Sequence, residues 1–197
     1  MKINFDDPKN FKVISGFVMP PRIRVDKRNP DLKLIHEALH CATFMASQID
    51  NIDEQVLFIR PQTVRASFFR ACLSELCRVE DILRIKLKNF SYYKLQDPVF
   101  HIIKILRNYQ VHLNTIELNS EKIEIIHSRD LMVYKTFIVK SLNIEDLKEL
   151  KSTKDYDIEL LSKLLNWFDL EQKKLGIVQM LFNIIKYIEN YVIHKFS

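Results

Sequence analysis

The stretch KILRNYQVHLN, residues 104–114, brings Arg107, Asn108 and His112 into one short segment. A guanidinium stabilises charge building on phosphoryl oxygens, and an imidazole moves protons near neutral pH. An amide between them can orient either partner or a substrate. These are the parts a phosphodiester cleavage needs. With RNA as substrate the ribose 2'-hydroxyl is a built-in nucleophile, so the chemistry requires no metal ion. On a helical wheel, Ile102, Ile105, Leu106, Tyr109 and Leu113 form an apolar stripe, while His101, Lys104, Asn108 and His112 form a polar ridge. At about 100° per residue, Arg107 stands about 140° from His112, so one helix alone does not set them side by side. Two copies related by a twofold axis would, each lending its polar ridge to a shared cleft. The plain alternative is a solvated helix face.

RNYQVH also resembles the signature of the HEPN superfamily (higher eukaryotes and prokaryotes nucleotide-binding): Arg, a polar residue, three more residues, then His. The resemblance puts Arg107, Asn108 and His112 at the three motif positions. It implies an all-α bundle of four or five helices that dimerises, and in many members a metal-independent endoribonuclease used as a toxin or phage-defence effector. The expected partners are RNA, a second copy of the chain and an antitoxin or other protein; no cofactor and no metal are expected. The long helical stretch before the motif, TVRASFFRACLSELCRVEDILR, is similar in general character to family members. A catalytically inactive helical module for dimerisation or protein binding is the alternative within the same resemblance. A ligand-binding regulator would need a buried polar cluster, and none is evident in the pattern.

Other residues extend or compete with this site. Lys104 and His101 on the ridge, and Arg22 and Arg24 in the basic stretch VMPPRIRVDKRNP, are candidate RNA contacts. His36 and His40 stand four apart, a spacing that suits a metal pair, but no HExxH or ExxH pattern completes it. Glu75 and Glu80 could orient His112 across the bundle; ion pairs with Arg78 and Arg84 are the simpler role. His127 is expected to be exposed. Trp167 and the phenylalanines are expected in the core.

The elements that position these residues follow from periodicity. Residues 1–30 hold Pro8, Pro20, Pro21 and Pro30 and read as an extended basic arm laid over the body. Helical period begins at Asp31 and should end by about 50–53. A second helix covers roughly 62–89, opened by Pro61. Asp97-Pro98 caps a third that runs to about 113. Alternation then takes over in EKIEIIH and MVYKTFIVK, predicting a β-hairpin within 118–140 with its turn at SRDL and a short third strand from NTIEL. Helices resume at NIEDLKELK, at 157–170 and at 172–193. The expectation is one domain over 1–197, mostly α, an HEPN-like antiparallel helical bundle with a small β-hairpin insertion after the third helix.

The totals are compatible with this. With 197 residues, 47% hydrophobic and 28% charged, the chain has the composition of one globular domain. Only two glycines, Gly16 and Gly176, exclude glycine-rich phosphate loops. Cys41, Cys72 and Cys77 form neither a disulfide framework nor a paired metal motif, which suits the reducing cytoplasm. The first residues lack a signal-peptide core, and no apolar run reaches the roughly 18–20 residues of a membrane span. A net charge of +5 eases contact with polyanions without requiring it.

Overall fold

A computed structural model of the chain describes residues 2–6, 11, 19–52, 59–113, 115–127, 130–140 and 142–196. Among these residues it is mostly helical, with six α-helices and one two-stranded antiparallel sheet. The helices α1 (Pro30–Gln48), α2 (Pro61–Lys86) and α3 (Pro98–His112) come first. The hairpin β1 (Leu118–His127) and β2 (Asp130–Val139) follows, then α4 (Ile144–Lys148), α5 (Ile158–Leu175) and α6 (Ile177–Phe196). No described helix is long and apolar enough to cross a membrane.

Local chemistry explains the helix starts. Proline opens α2, where its missing N–H costs nothing. Asp97 caps α3 by accepting from the Val99 amide at 3.0 Å, Asn143 caps α4 through Glu145 N, and Asp157 caps α5 through Leu160 N. The second oxygen of Asp97 accepts from Phe11 N and from the Tyr187 hydroxyl, so one buried carboxylate ties the arm, α3 and α6 together.

The core is one cluster. α1 packs on α2 and α6, α2 on α3, and α5 on α6, while β2 lies against α5 and α6. α6 is buried on every side over 177–185, Gln179 and Asn183 included, as a central helix must be. Of the arm, Ile3, Phe11 and Val25 are buried, in keeping with an extended segment laid over the body.

Register in the hairpin pairs Leu118 with Val139 and Glu124 with Val133. Leu118 and residues 136–139 are buried, so the base of the hairpin belongs to the core. The expected third strand from NTIEL is not formed by the described residues: 115–117 lie outside the ladder, with only the Glu117 carbonyl accepting from Lys140 N. Ser128 and Arg129 of the expected turn, Gly16 and Pro8 lie outside the described residues, as does the side chain of His127.

The break between the last two helices differs from the expectation of 170–172. Gln172 is inside α5, fully buried, and its amide pairs with both the N–H and the carbonyl of Val139 (2.8 and 3.0 Å). It satisfies a strand edge that would otherwise be orphaned. The break is Gly176, whose φ of +86° suits only glycine here. A Cβ at this position would sit 1.9 Å from Thr136 Oγ1. Gly176→Ala should therefore destabilise the fold by about 3 kcal/mol, combining backbone strain with overpacking. In urea unfolding the double variant Gly176→Ala/Thr136→Ala should recover only part of this loss, because the Thr136 Cβ that alanine keeps still lies 2.8 Å from the added Cβ and the backbone strain remains. Equal loss in both would mean that the clash is relieved elsewhere.

Candidate functional site

The site is built on the seam between α2 and α3. Glu80 of α2 faces Lys104 of α3 at 2.7 Å, and Cys77 of α2 lies near Arg107 of α3, so the two helices run antiparallel. Glu80 is 1% exposed and fully engaged: it accepts from Ser91 Oγ (2.9 Å) and Tyr92 N (2.8 Å) as well as from the Lys104 ammonium. Ser91 and Tyr92 enter a single 3-10 turn, Tyr92–Lys94, that bridges α2 to α3. The Lys104 ammonium also sits 4.8 Å from the centre of the Tyr93 ring. Arg84, expected to pair with Glu80, pairs instead with Asp81. The expected Glu75–Arg78 pair is present at 3.2 Å.

Two ridge assignments are corrected. His101 is not on an open polar face: it is 0% exposed. Its Nε2 donates to the Leu95 carbonyl at 2.6 Å, which leaves Nδ1 to accept from the Tyr156 hydroxyl at 2.5 Å. The wheel failed there because it sorts residues by polarity, whereas a histidine with two internal partners packs as a core residue. Lys104 is largely covered and neutralises Glu80, so it is occupied within the chain. Neither side chain is placed to meet RNA.

Burial above all pushes the His101 imidazole below its ordinary 6.5 and holds it neutral. An unfolded chain takes up this proton below about pH 6.5 while the folded one resists. Stability is therefore full above that pH and is lost as pH falls below it, by at most about 1.4 kcal/mol per pH unit. Urea unfolding of the wild type and of His101→Gln at pH 7.5 and 5.5 checks this: the variant should be less sensitive to the change. Equal sensitivity in the two proteins would remove His101 as the cause.

The motif residues lie at the C-terminal end of α3. Arg107 is half-buried, and its Nη1 donates to Asn108 Oδ1 at 3.0 Å. Its Nε is sealed from water and has no partner among the described residues. Asn108 thus orients Arg107 rather than His112. The Tyr93 hydroxyl lies beside Asn108 and Ser152, and burial raises its pKa to about 12, keeping it a neutral donor. His112 is exposed, the last residue of the helix, where a cation complements the helix dipole. Val111 (47% exposed) and Leu113 (37%) flank it. No hydrogen bond joins Arg107 to His112 among the described residues, in keeping with their angular separation on one helix.

Of the arm residues, Arg22 is exposed. Arg24 is not free for a ligand: it bonds Asn190 Oδ1 at 2.8 Å, pairs with Glu189 at 3.5 Å, and its backbone N–H also donates to Glu189. Glu189 is almost wholly buried on α6, so Arg24 is the pin that fastens the arm. The His36 and His40 rings are stacked, 6.2 Å between centres. Among the described residues no three His, Cys, Asp or Glu side chains converge as a metal would require. Cys72 and Cys77 are buried, and burial pushes the Cys77 thiol up to about 12, so both act as core residues.

Sequence reasoning missed the Glu80, Ser91 and Lys104 network and the His101–Tyr156 pair, since their partners lie up to 55 positions away or on another helix. The charge of Glu80 on an otherwise apolar stripe of α2 was the available signal. No family model, no curated protein and no solved structure matches this chain.

Proposed function

We propose that the chain is a metal-independent endoribonuclease of the HEPN type, acting as a toxin or phage-defence effector at a composite site between two copies. The observation that carries this reading is the C-terminal turn of α3. There Asn108 fixes the Arg107 guanidinium, and His112 stands exposed between two exposed aliphatic side chains that a second copy could cover. Arg107 of one protomer would hold the phosphoryl oxygens while His112 of its partner transfers the proton. The 2'-oxygen attacks phosphorus and the bond to the 5'-oxygen breaks. The products are a 2',3'-cyclic phosphate and a 5'-hydroxyl, and no electrons are exchanged.

The second reading, a non-catalytic helical dimerisation or docking module, draws on the same turn. His112 at a helix C-terminus is stabilising without any chemistry, and Arg107 already spends one arm on Asn108. Incubating the purified protein with RNA, with and without EDTA, separates the two. The nuclease reading expects cleavage that survives EDTA and cyclic-phosphate ends. Absence of cleavage by a folded dimer favours the docking module.

A further inference from the structure

We infer that the arm and α1 together form a second binding groove, separate from the α3 site, that takes the sugar-phosphate chain of single-stranded nucleic acid. It rests on the ribonuclease reading only for the view that RNA is the natural strand. The groove is about 740 Å³, within the range of ligand-sized sites. One wall is the arm, bearing Arg22, Lys27 and Arg28; the other is α1, bearing His36, His40 and Phe44.

Its charge is one-sided. Among the described residues the only carboxylate on its walls, Asp26, is turned onto Arg28, which holds its carboxyl below the usual range. Arg22 and Lys27 have no acidic partner among the described residues and are exposed. Like charges gathered this way repel unless an anion joins them, so the arrangement favours a phosphate-bearing occupant. The arm wall is held in place by α6, because Arg24, which also lines the groove, is pinned to Glu189 and Asn190. The His36 and His40 rings stack along one ridge of α1 and line the groove. Phe44, 54% exposed one turn further on, offers a flat apolar face. Cations tracking a backbone beside an unpartnered aromatic ring are what an unpaired strand needs, since every base has a face to stack. An acidic peptide would use the cations and leave Phe44 idle.

The test uses the full chain and a fluorescein-labelled 2'-O-methyl oligoribonucleotide, which has no 2'-hydroxyl to attack and cannot be cut. Fluorescence anisotropy across a salt series should give a Kd that weakens about tenfold in Arg22→Gln/Lys27→Gln. The slope of log K against log salt should become shallower by about 1.4, from about 0.7 for each lost phosphate contact on a single strand. Phe44→Ala should weaken oligonucleotide binding about tenfold and leave inorganic polyphosphate binding unchanged. Thermal melts by circular dichroism should match the wild type, as these side chains are exposed. Unchanged affinity and slope in the double variant would overturn the groove. A Phe44→Ala variant that binds as wild type, or displacement of the strand by polyglutamate at equal charge, would overturn the nucleic-acid assignment. Since the probe is uncleavable, failure of the nuclease at Arg107 and His112 leaves this outcome readable, and failure here leaves that reading standing.

Discussion

His112→Ala should lower RNA cleavage at least a hundredfold while leaving the fold and the melting temperature unchanged. Losing a positioned general acid or base typically removes about 10²–10⁴ in rate. The side chain is exposed at the last residue of α3, so its removal opens no cavity and orphans no buried partner. The helix loses at most a few tenths of a kcal/mol of dipole interaction. Arg107→Lys is the informative companion. A lysine keeps the charge but not the fork that reaches Asn108 and a phosphate together, so cleavage should fall about as far as in Arg107→Ala. Gel assays of wild type and variants, read beside their circular dichroism, check both. Cleavage by His112→Ala at the wild-type rate would leave the docking module as the surviving reading.

Glu80→Ala should be the most destabilising single change on the seam, by about 3–5 kcal/mol, because it breaks a buried ion pair by removing one partner. Three groups lose their acceptor at once: the Lys104 ammonium, the Ser91 hydroxyl and the Tyr92 amide. The last two start the 3-10 turn that sets the entry of α3, so the loss should also loosen Arg107 and Asn108 further along that helix. Glu80→Met/Lys104→Met replaces the pair by side chains of similar volume and should recover part of the stability. The Tyr92 amide stays orphaned, so recovery should be incomplete. Urea unfolding with matched slopes measures this. If Glu80→Ala costs less than about 1 kcal/mol, water replaces the carboxylate and the seam is softer than its geometry implies.

Much of the architecture could be read from local signals. Pro61, Asp97-Pro98, Asn143 and Asp157 mark helix starts within a residue of where they occur, because capping is a contact between near neighbours. The hairpin was equally legible, since period-two alternation follows directly from strand geometry. The errors have one physical origin. Gln172 looked like a helix boundary because its partner, Val139, lies 33 positions away. His101 looked like part of a polar ridge because Tyr156 comes from a distant turn. Arg24 looked available because Glu189 is 165 positions away. In each case a polar side chain was judged by its type, while its engagement is decided by a partner that local pattern does not name. At the candidate site, the motif and its helix were visible in sequence. The bond from Arg107 to Asn108, and the anchoring of Lys104 by Glu80, required the packed structure.

The most direct measurement is complementation between two inactive variants. Arg107→Ala and His112→Ala are co-expressed with different tags, the dimers are isolated through both tags in turn, and RNA cleavage is measured. A heterodimer whose sites each draw guanidinium and imidazole from different protomers regains one intact site, so activity should return to about half of the wild-type dimer, the share that twofold pairing dictates. A doubly tagged dimer that stays as inactive as its parents would contradict a composite site.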